Sequence, residues 1–135
     1  MLARIRGLEW GMGRSVLIVD DDSTLRMMLR VVLAREGFNV TEAGDGNVAL
    51  DRIREQPFDL VLMDIVMPGK EGIETILELR QTHPKLPVIA MSGGRRFSDR
   101  DPLELALDCG ADFIIAKPFL PDKLRALIRR CLPGT

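Results

Sequence analysis

The chain has few cysteines, no excess of either charge and no long apolar run, and each shortage narrows what it can be. Its two cysteines, Cys109 and Cys131, form no C-x-x-C pair and lack nearby histidines. That points away from a disulfide framework or a thiolate metal site and toward small core residues in a reducing, cytoplasmic setting. No stretch reaches the about 20 apolar residues that a bilayer-spanning helix needs, so no membrane partner is expected. Nineteen basic residues stand against twenty acidic ones, for a net charge of -1. Such a balance exerts no general pull on nucleic acid or an anionic membrane surface. The opening MLARIRGLEWGMGR is positively charged but has no sustained apolar core, so it does not read as a signal peptide. Residues 1–14 are expected to form a flexible extension, 15–131 the folded domain and 132–135 a short tail. No internal repeat, low-complexity tract or linker interrupts the sequence.

What is present is a regular alternation. SVLIV (15–19) leads into a helix with Leu25, Met28, Leu29, Val32 and Leu33 at helical spacing, with Ser23 and Thr24 able to cap it, Asp22 read as a cap or turn residue, and Gly37 ending it. NVTEA (39–43) is a short strand, and GDG (44–46) opens a second helix that Pro57 stops. LVLM (60–63) and PVIAM (87–91) are apolar without alternation, the mark of strands covered on both faces. Between them MPGKEG (67–72) reads as loop, and Ile73, Ile76 and Leu77 line a third helix. Asp101-Pro102 caps a fourth helix with Leu103, Ala106 and Leu107. FIIA (113–116) is the fifth strand, and Pro121 starts a last helix with Leu124, Leu127, Ile128 and Cys131 on one face. Strands and helices in strict alternation predict a parallel sheet with helices on both faces, a three-layer α/β/α sandwich.

In such sheets ligands gather beyond the carboxyl ends of the strands. There the sequence places Asp20-Asp21 after the first strand, Asp64 after the third, Ser92 after the fourth and Lys117 after the fifth. Like charges about 4 Å apart repel by roughly 4 kcal/mol at an effective dielectric near 20. Something must offset that repulsion. Carboxylates with carbonyl oxygens and water form a hard oxygen site suited to Mg²⁺ or Mn²⁺. A cation there would draw a phosphoryl group to the same place, with Asp64 as nucleophile, Lys117 neutralising charge and Ser92 donating a hydrogen bond.

VDDD (19–22), MDIVMPGKEG (63–72), MSG (91–93) and AKPF (116–119), in this order, resemble the receiver domain of two-component response regulators. The resemblance spans about residues 15 to 131. It implies a flavodoxin-like sheet of order 2-1-3-4-5, Asp64 as phosphoacceptor, and Mg²⁺ held by Asp20, Asp21, Asp64 and the backbone carbonyl of Val66. It puts Ser92 at the switch hydroxyl, with Gly93 beside it in the phosphoryl-binding loop. Lys117 takes the role of the family's lysine, joined to Pro118 by a bond that is usually cis in the family. The implied partner is a histidine kinase or histidine phosphotransfer protein. The implied output is a surface of the fourth helix, fifth strand and last helix that acts on a protein target or pairs two copies of the chain; Leu103, Leu105, Arg125, Arg129 and Arg130 are our contact candidates on it. One position departs from the family. Its switch aromatic is replaced by Ile114, and the adjacent Phe113 should face the other way because side chains alternate along a strand. Val66 and Gly94, at positions that the resemblance links to phosphoryl lifetime, have no polar side chains.

Two other readings compete. DDDSTL (20–25) also resembles the first motif of haloacid-dehalogenase-type phosphatases, with Asp20 as nucleophile and Asp22 as general acid, but that leaves Asp64 and MPGKEG unexplained. A receiver-like scaffold that binds without phosphorylation is the other. DNA binding by this chain is not expected, because only one helix follows Lys117.

Overall fold

A computed structural model describes residues 11–67, 72–93 and 101–133. The apolar runs form β1 (Ser15–Val19), β2 (Asn39–Ala43), β3 (Leu60–Asp64), β4 (Val88–Ser92) and β5 (Phe113–Ala116). Between them lie α1 (Ser23–Arg35), α2 (Gly46–Glu55), α3 (Gly72–Thr82), α4 (Pro102–Asp108) and, last, α5 (Pro121–Cys131). All strand pairs are parallel, in one sheet of order β2-β1-β3-β4-β5. The expected three-layer architecture and strand order are both found.

The side-chain period of two sorts the core into two halves. Leu17, Val19, Val61, Met63, Val88 and Ala90 join Ala49, Ile53, Ile76, Leu79 and Ala106 from α2, α3 and α4. Val16, Ile18, Leu60, Leu62, Ile89 and Met91 join Leu29 and Leu33 of α1 and Leu124 and Ile128 of α5. Every residue of β3 and β4 is buried, which is why those runs show no polar alternation. Each such leucine or isoleucine contributes about 2–3 kcal/mol relative to exposure, enough to hold a rigid platform beneath polar strand ends. Phe113 packs with the α1/α5 half and Ile114 with the other, so the expected alternation holds.

Several local expectations change. Asp22, not Ser23 or Thr24, caps α1: its carboxylate accepts from the N–H groups of Thr24 and Leu25. Met28, Leu77 and Leu107 are exposed, because the buried faces of their helices run one position away through Leu29, Ile76 and Ala106. Residues 11–14 are not free of the domain. The Gly11 N–H donates to the Glu36 carbonyl, and the Arg14 guanidinium donates to the carbonyls of Leu132 and Pro133. Arg125 and Arg129 reach Glu36 at the end of α1 (3.6 and 3.8 Å). Arg130 lies over a β5 side chain, 4.8 Å from the centre of the Phe113 ring, whereas Leu103, expected as a contact residue, is buried in the core because it lies on the inner face of α4 with Ala106.

Candidate functional site

The carboxyl ends of β1 and β3 lie side by side, Val19 level with Met63, so the next residues, Asp20 and Asp64, meet across the sheet. Both are buried, Asp20 completely and Asp64 to 3% exposure. Asp21 is exposed. One oxygen from each of the three carboxylates falls within 4.8 Å of the others. The cluster lines a cleft of about 280 Å³ with Asp22, Val66, Gly93 and Lys117. A larger, mainly apolar cavity of about 540 Å³ lies at the opposite end of the strands, bordered by Phe58, Leu86, Pro87 and Leu132. Asp20, Asp21 and Asp64 do not line it.

The cation inside the cluster is Lys117. Its Nζ donates to Asp20 Oδ2 at 2.6 Å and lies 3.5 Å from Asp64 Oδ2. β5 brings it there: the Lys117 N–H donates to the Ser92 carbonyl at 2.7 Å, extending the β4–β5 ladder by one residue. The Lys117-Pro118 peptide is cis, as the sequence resemblance implies. Ser92 ends β4 fully buried, and Gly93 rather than Ser92 forms the cleft wall. Gly94 and residues 68–71 of the MPGKEG segment lie outside the described residues.

The two buried acids are held differently. Asp20 has both oxygens engaged: Oδ1 accepts the Asp22 N–H at 2.9 Å and Oδ2 accepts from Lys117. Asp64 Oδ1 accepts the Val66 N–H at 3.1 Å, and among the described residues Oδ2 has only the longer Lys117 contact. Behind Asp64 the start of α3 presses on the strand. A Cβ on Gly72 would stand 2.2 Å from the Asp64 carbonyl oxygen, so only glycine permits this approach.

Electrostatics follow burial. Desolvation first, and then the charge on Asp20, push the Asp64 carboxyl up to about 6, against the lowering effect of the Val66 N–H and Lys117. Burial works against a charged Lys117, but its hydrogen bond to Asp20 and the attraction of Asp64 and Asp20 hold its pKa above the ordinary value. This region therefore stores unfavourable negative charge with one ammonium to balance it. The donor set suits a hard divalent cation: three converging carboxylates, one of them exposed, at the mouth of an open cleft.

Comparison with known proteins agrees with this geometry. A family model, the response regulator receiver domain, matches residues 16–129. The chain belongs to that family. The transcriptional regulatory protein CpxR of Escherichia coli is 44% identical over 119 residues, covering 85% of this chain and 49% of CpxR. The DNA-binding response regulator MtrA of Mycolicibacterium paratuberculosis is 40% identical over 118 residues, 87% of this chain and 51% of MtrA. The chain thus spans about half the length of the curated relatives it matches. Among solved structures, a CheY-like receiver domain protein of Methanospirillum hungatei superposes with a TM-score of 0.81 at 30% identity, covering 88% of this chain and 93% of that one. Receiver domains are signalling modules, so the receiver fold and class stand. The phosphatase alternative loses its proposed general acid as well, since Asp22 is committed to capping α1. The sequence reading missed Arg26, whose guanidinium donates to the Asp20 carbonyl at 2.6 Å and to Glu42 at 2.9 Å. No local signal marks Arg26, because the fold brings both partners to it.

Proposed function

We propose that this receiver takes a phosphoryl group from a phosphohistidine onto Asp64. The observation that carries this reading is the convergence of three carboxylate oxygens within 4.8 Å, with the Lys117 ammonium between Asp20 and Asp64. Of the two buried acids, Asp64 has the freer oxygen, Oδ2. With a pKa of about 6 it is mostly ionised at neutral pH and more basic than an ordinary aspartate, which favours attack. An Asp64 oxygen forms the new O–P bond, the donor's N–P bond breaks, and its electron pair returns to the histidine ring. Asp20, Asp21, Asp64 and the Val66 carbonyl would hold Mg²⁺ or Mn²⁺, which supplies charge neutralisation for the acids and the phosphoryl oxygens. Lys117 stays near enough to Asp64 to pair with the added charge. Ser92 and Gly93, where β4 meets the cleft, are the groups that respond to it.

The partner delivering the phosphoryl group is a cytoplasmic histidine kinase or phosphotransfer protein. Phosphorylation adds about -1.5 to -2 charges, which biases the surface of α4, β5 and α5 toward a protein target or a second copy of the chain. Ile114 provides no aromatic switch, so Ser92 and the loop after β4 carry the response. Incubation with acetyl phosphate and Mg²⁺, followed by intact mass measurement, tests the assignment. The wild type should gain one phosphoryl group and Asp64→Ala none, with Asp20→Ala labelled slowly. Labelling that survives in Asp64→Ala, or continuous phosphatase turnover lost mainly at Asp20, overturns it.

A further inference from the structure

The three acids of the cluster are not held alike. Asp20 and Asp64 are buried and fixed by hydrogen bonds to their carboxylates, whereas the Asp21 carboxylate is exposed and receives no hydrogen bond from any described residue. Its place in the cluster is therefore set through the backbone. The peptide that joins Asp20 to Asp21 is planar, so whatever grips its carbonyl sets the plane from which Asp21 departs. That grip is the Arg26 Nη1, at 2.6 Å from the Asp20 oxygen. On its other side the same guanidinium is anchored by Nε to Glu42 Oε1, at 2.9 Å, and Arg30 holds the second Glu42 oxygen at 2.7 Å. The Arg26 N–H donates to the Asp22 carbonyl, so the Asp20–Asp22 turn is tied to the first turn of α1 at two points. Arg30 and Arg26 hold the Glu42 carboxyl below its ordinary range, which keeps this anchor charged at neutral pH.

We infer that Arg26, braced by Glu42, is a positioning residue for the cation site: it orients the Asp20–Asp21 peptide and thereby brings the otherwise unsupported Asp21 carboxylate into the acid cluster. Arg26 touches none of the three carboxylates in the described contacts and acts only through that carbonyl. The inference rests on the reading of Asp20, Asp21 and Asp64 as a divalent cation site. Residues that orient metal ligands from behind typically alter metal affinity by about 10–100-fold when replaced.

The test is calorimetric titration of the full chain with Mg²⁺, for wild type, Arg26→Met, Asp21→Asn and the double variant. Arg80→Ala serves as a stability control, because Arg80 clamps the far ends of α3 and α4 and touches no acid of the cluster. Arg26→Met should weaken Mg²⁺ binding about tenfold and Arg80→Ala by less than twofold. In the Asp21→Asn background the added effect of Arg26→Met should shrink below about threefold, since the ligand it positions is already gone. In acetyl phosphate labelling, the Mg²⁺ concentration for half-maximal rate should rise about tenfold, with the rate at saturating Mg²⁺ within twofold of wild type. Should Arg26→Met fold poorly, Glu42→Gln loosens the same brace and should cost about threefold in affinity. If Arg26→Met and Glu42→Gln bind like wild type while Asp21→Asn binds weakly, the inference fails and the site reading stands. Fully multiplicative losses in the double variant also overturn it. A wild-type chain that binds no Mg²⁺ overturns the site reading and this inference with it.

Discussion

Asp64→Asn should make the metal-free protein more stable at neutral pH, although it removes the proposed phosphoacceptor. The Asp64 carboxyl titrates at about 6 in the folded chain against an ordinary value of 3.8, through burial and the nearby charge of Asp20. The folded state therefore holds the proton more tightly than the unfolded state, and folding stability falls as pH rises from about 4 to 6. The difference of about 2.2 pH units corresponds to about 3 kcal/mol at 1.36 kcal/mol per unit, which screening at the open cleft reduces to about 2. Asparagine keeps an oxygen to accept the Val66 N–H and carries no charge. Urea unfolding in EDTA at pH 4 and pH 7.5 reads the effect. The gap between variant and wild type should open by about 1.5 kcal/mol over that interval, in favour of the variant. Saturating Mg²⁺ should reverse the order, since a ligand at a hundred times its Kd adds about 2.7 kcal/mol to a chain that binds it. A variant equally or less favoured at pH 7.5 than at pH 4 would show that Asp64 is not strained by burial and repulsion.

Three further substitutions probe the supports of the site. Lys117→Ala leaves Asp20 and Asp64 facing one another without the ammonium; at pH 7.5 in EDTA it should lose about 2 kcal/mol in urea melts, and Mg²⁺ should recover much of that. A loss that Mg²⁺ leaves unchanged counts against shared charge balance. Gly72→Ala sets a methyl group against the Asp64 carbonyl, so a loss of about 2–3 kcal/mol and slower acetyl phosphate labelling are expected; wild-type melting would mean α3 can retreat freely. Arg80→Ala deserts the carbonyls of Gly110, His83 and Leu86 and the Asp112 carboxylate; thermal unfolding should report about 2–3 kcal/mol lost, with labelling per folded molecule unchanged.

Much of the scaffold is legible in the sequence because it depends on short-range signals. LVLM and VIAM are apolar at successive positions because both their faces are covered. The polar residue that closes each run then marks the same sheet edge, so Asp20, Asp64 and Lys117 are found together as expected. The helical faces were harder to read. Met28 and Leu77 fit the apolar spacing of their helices yet face solvent, since a stripe can be rotated by one residue without breaking its period. The long-range polar contacts were not legible at all. Nothing local in Arg26 or Arg80 distinguishes a buried anchor from a solvated helix charge, because their partners arrive from other elements. Arg125 and Arg129 show the same limit: their ion pairs with Glu36 join α5 to the end of α1, a contact between elements that no local pattern announces.

These features share one cause. A fully apolar end to β1 and β3 would remove the Asp20–Asp64 repulsion, and the chain keeps that repulsion between two buried residues. The core beneath is continuous through Leu17, Val19, Val61 and Met63, so about 2 kcal/mol of local strain is tolerated without loss of the fold. The same strain makes the edge responsive, because an ion or a phosphoryl group that changes its charge alters the folded state and leaves the unfolded chain nearly untouched. In the proposed phosphotransfer, the burial that raises the Asp64 pKa would also favour its attack, and the Lys117 contact that limits the repulsion would be on hand for the added charge. An exposed aspartate would titrate near 3.8, cost nothing and sense nothing. Instability at this sheet edge is thus the physical basis of the proposed signalling site.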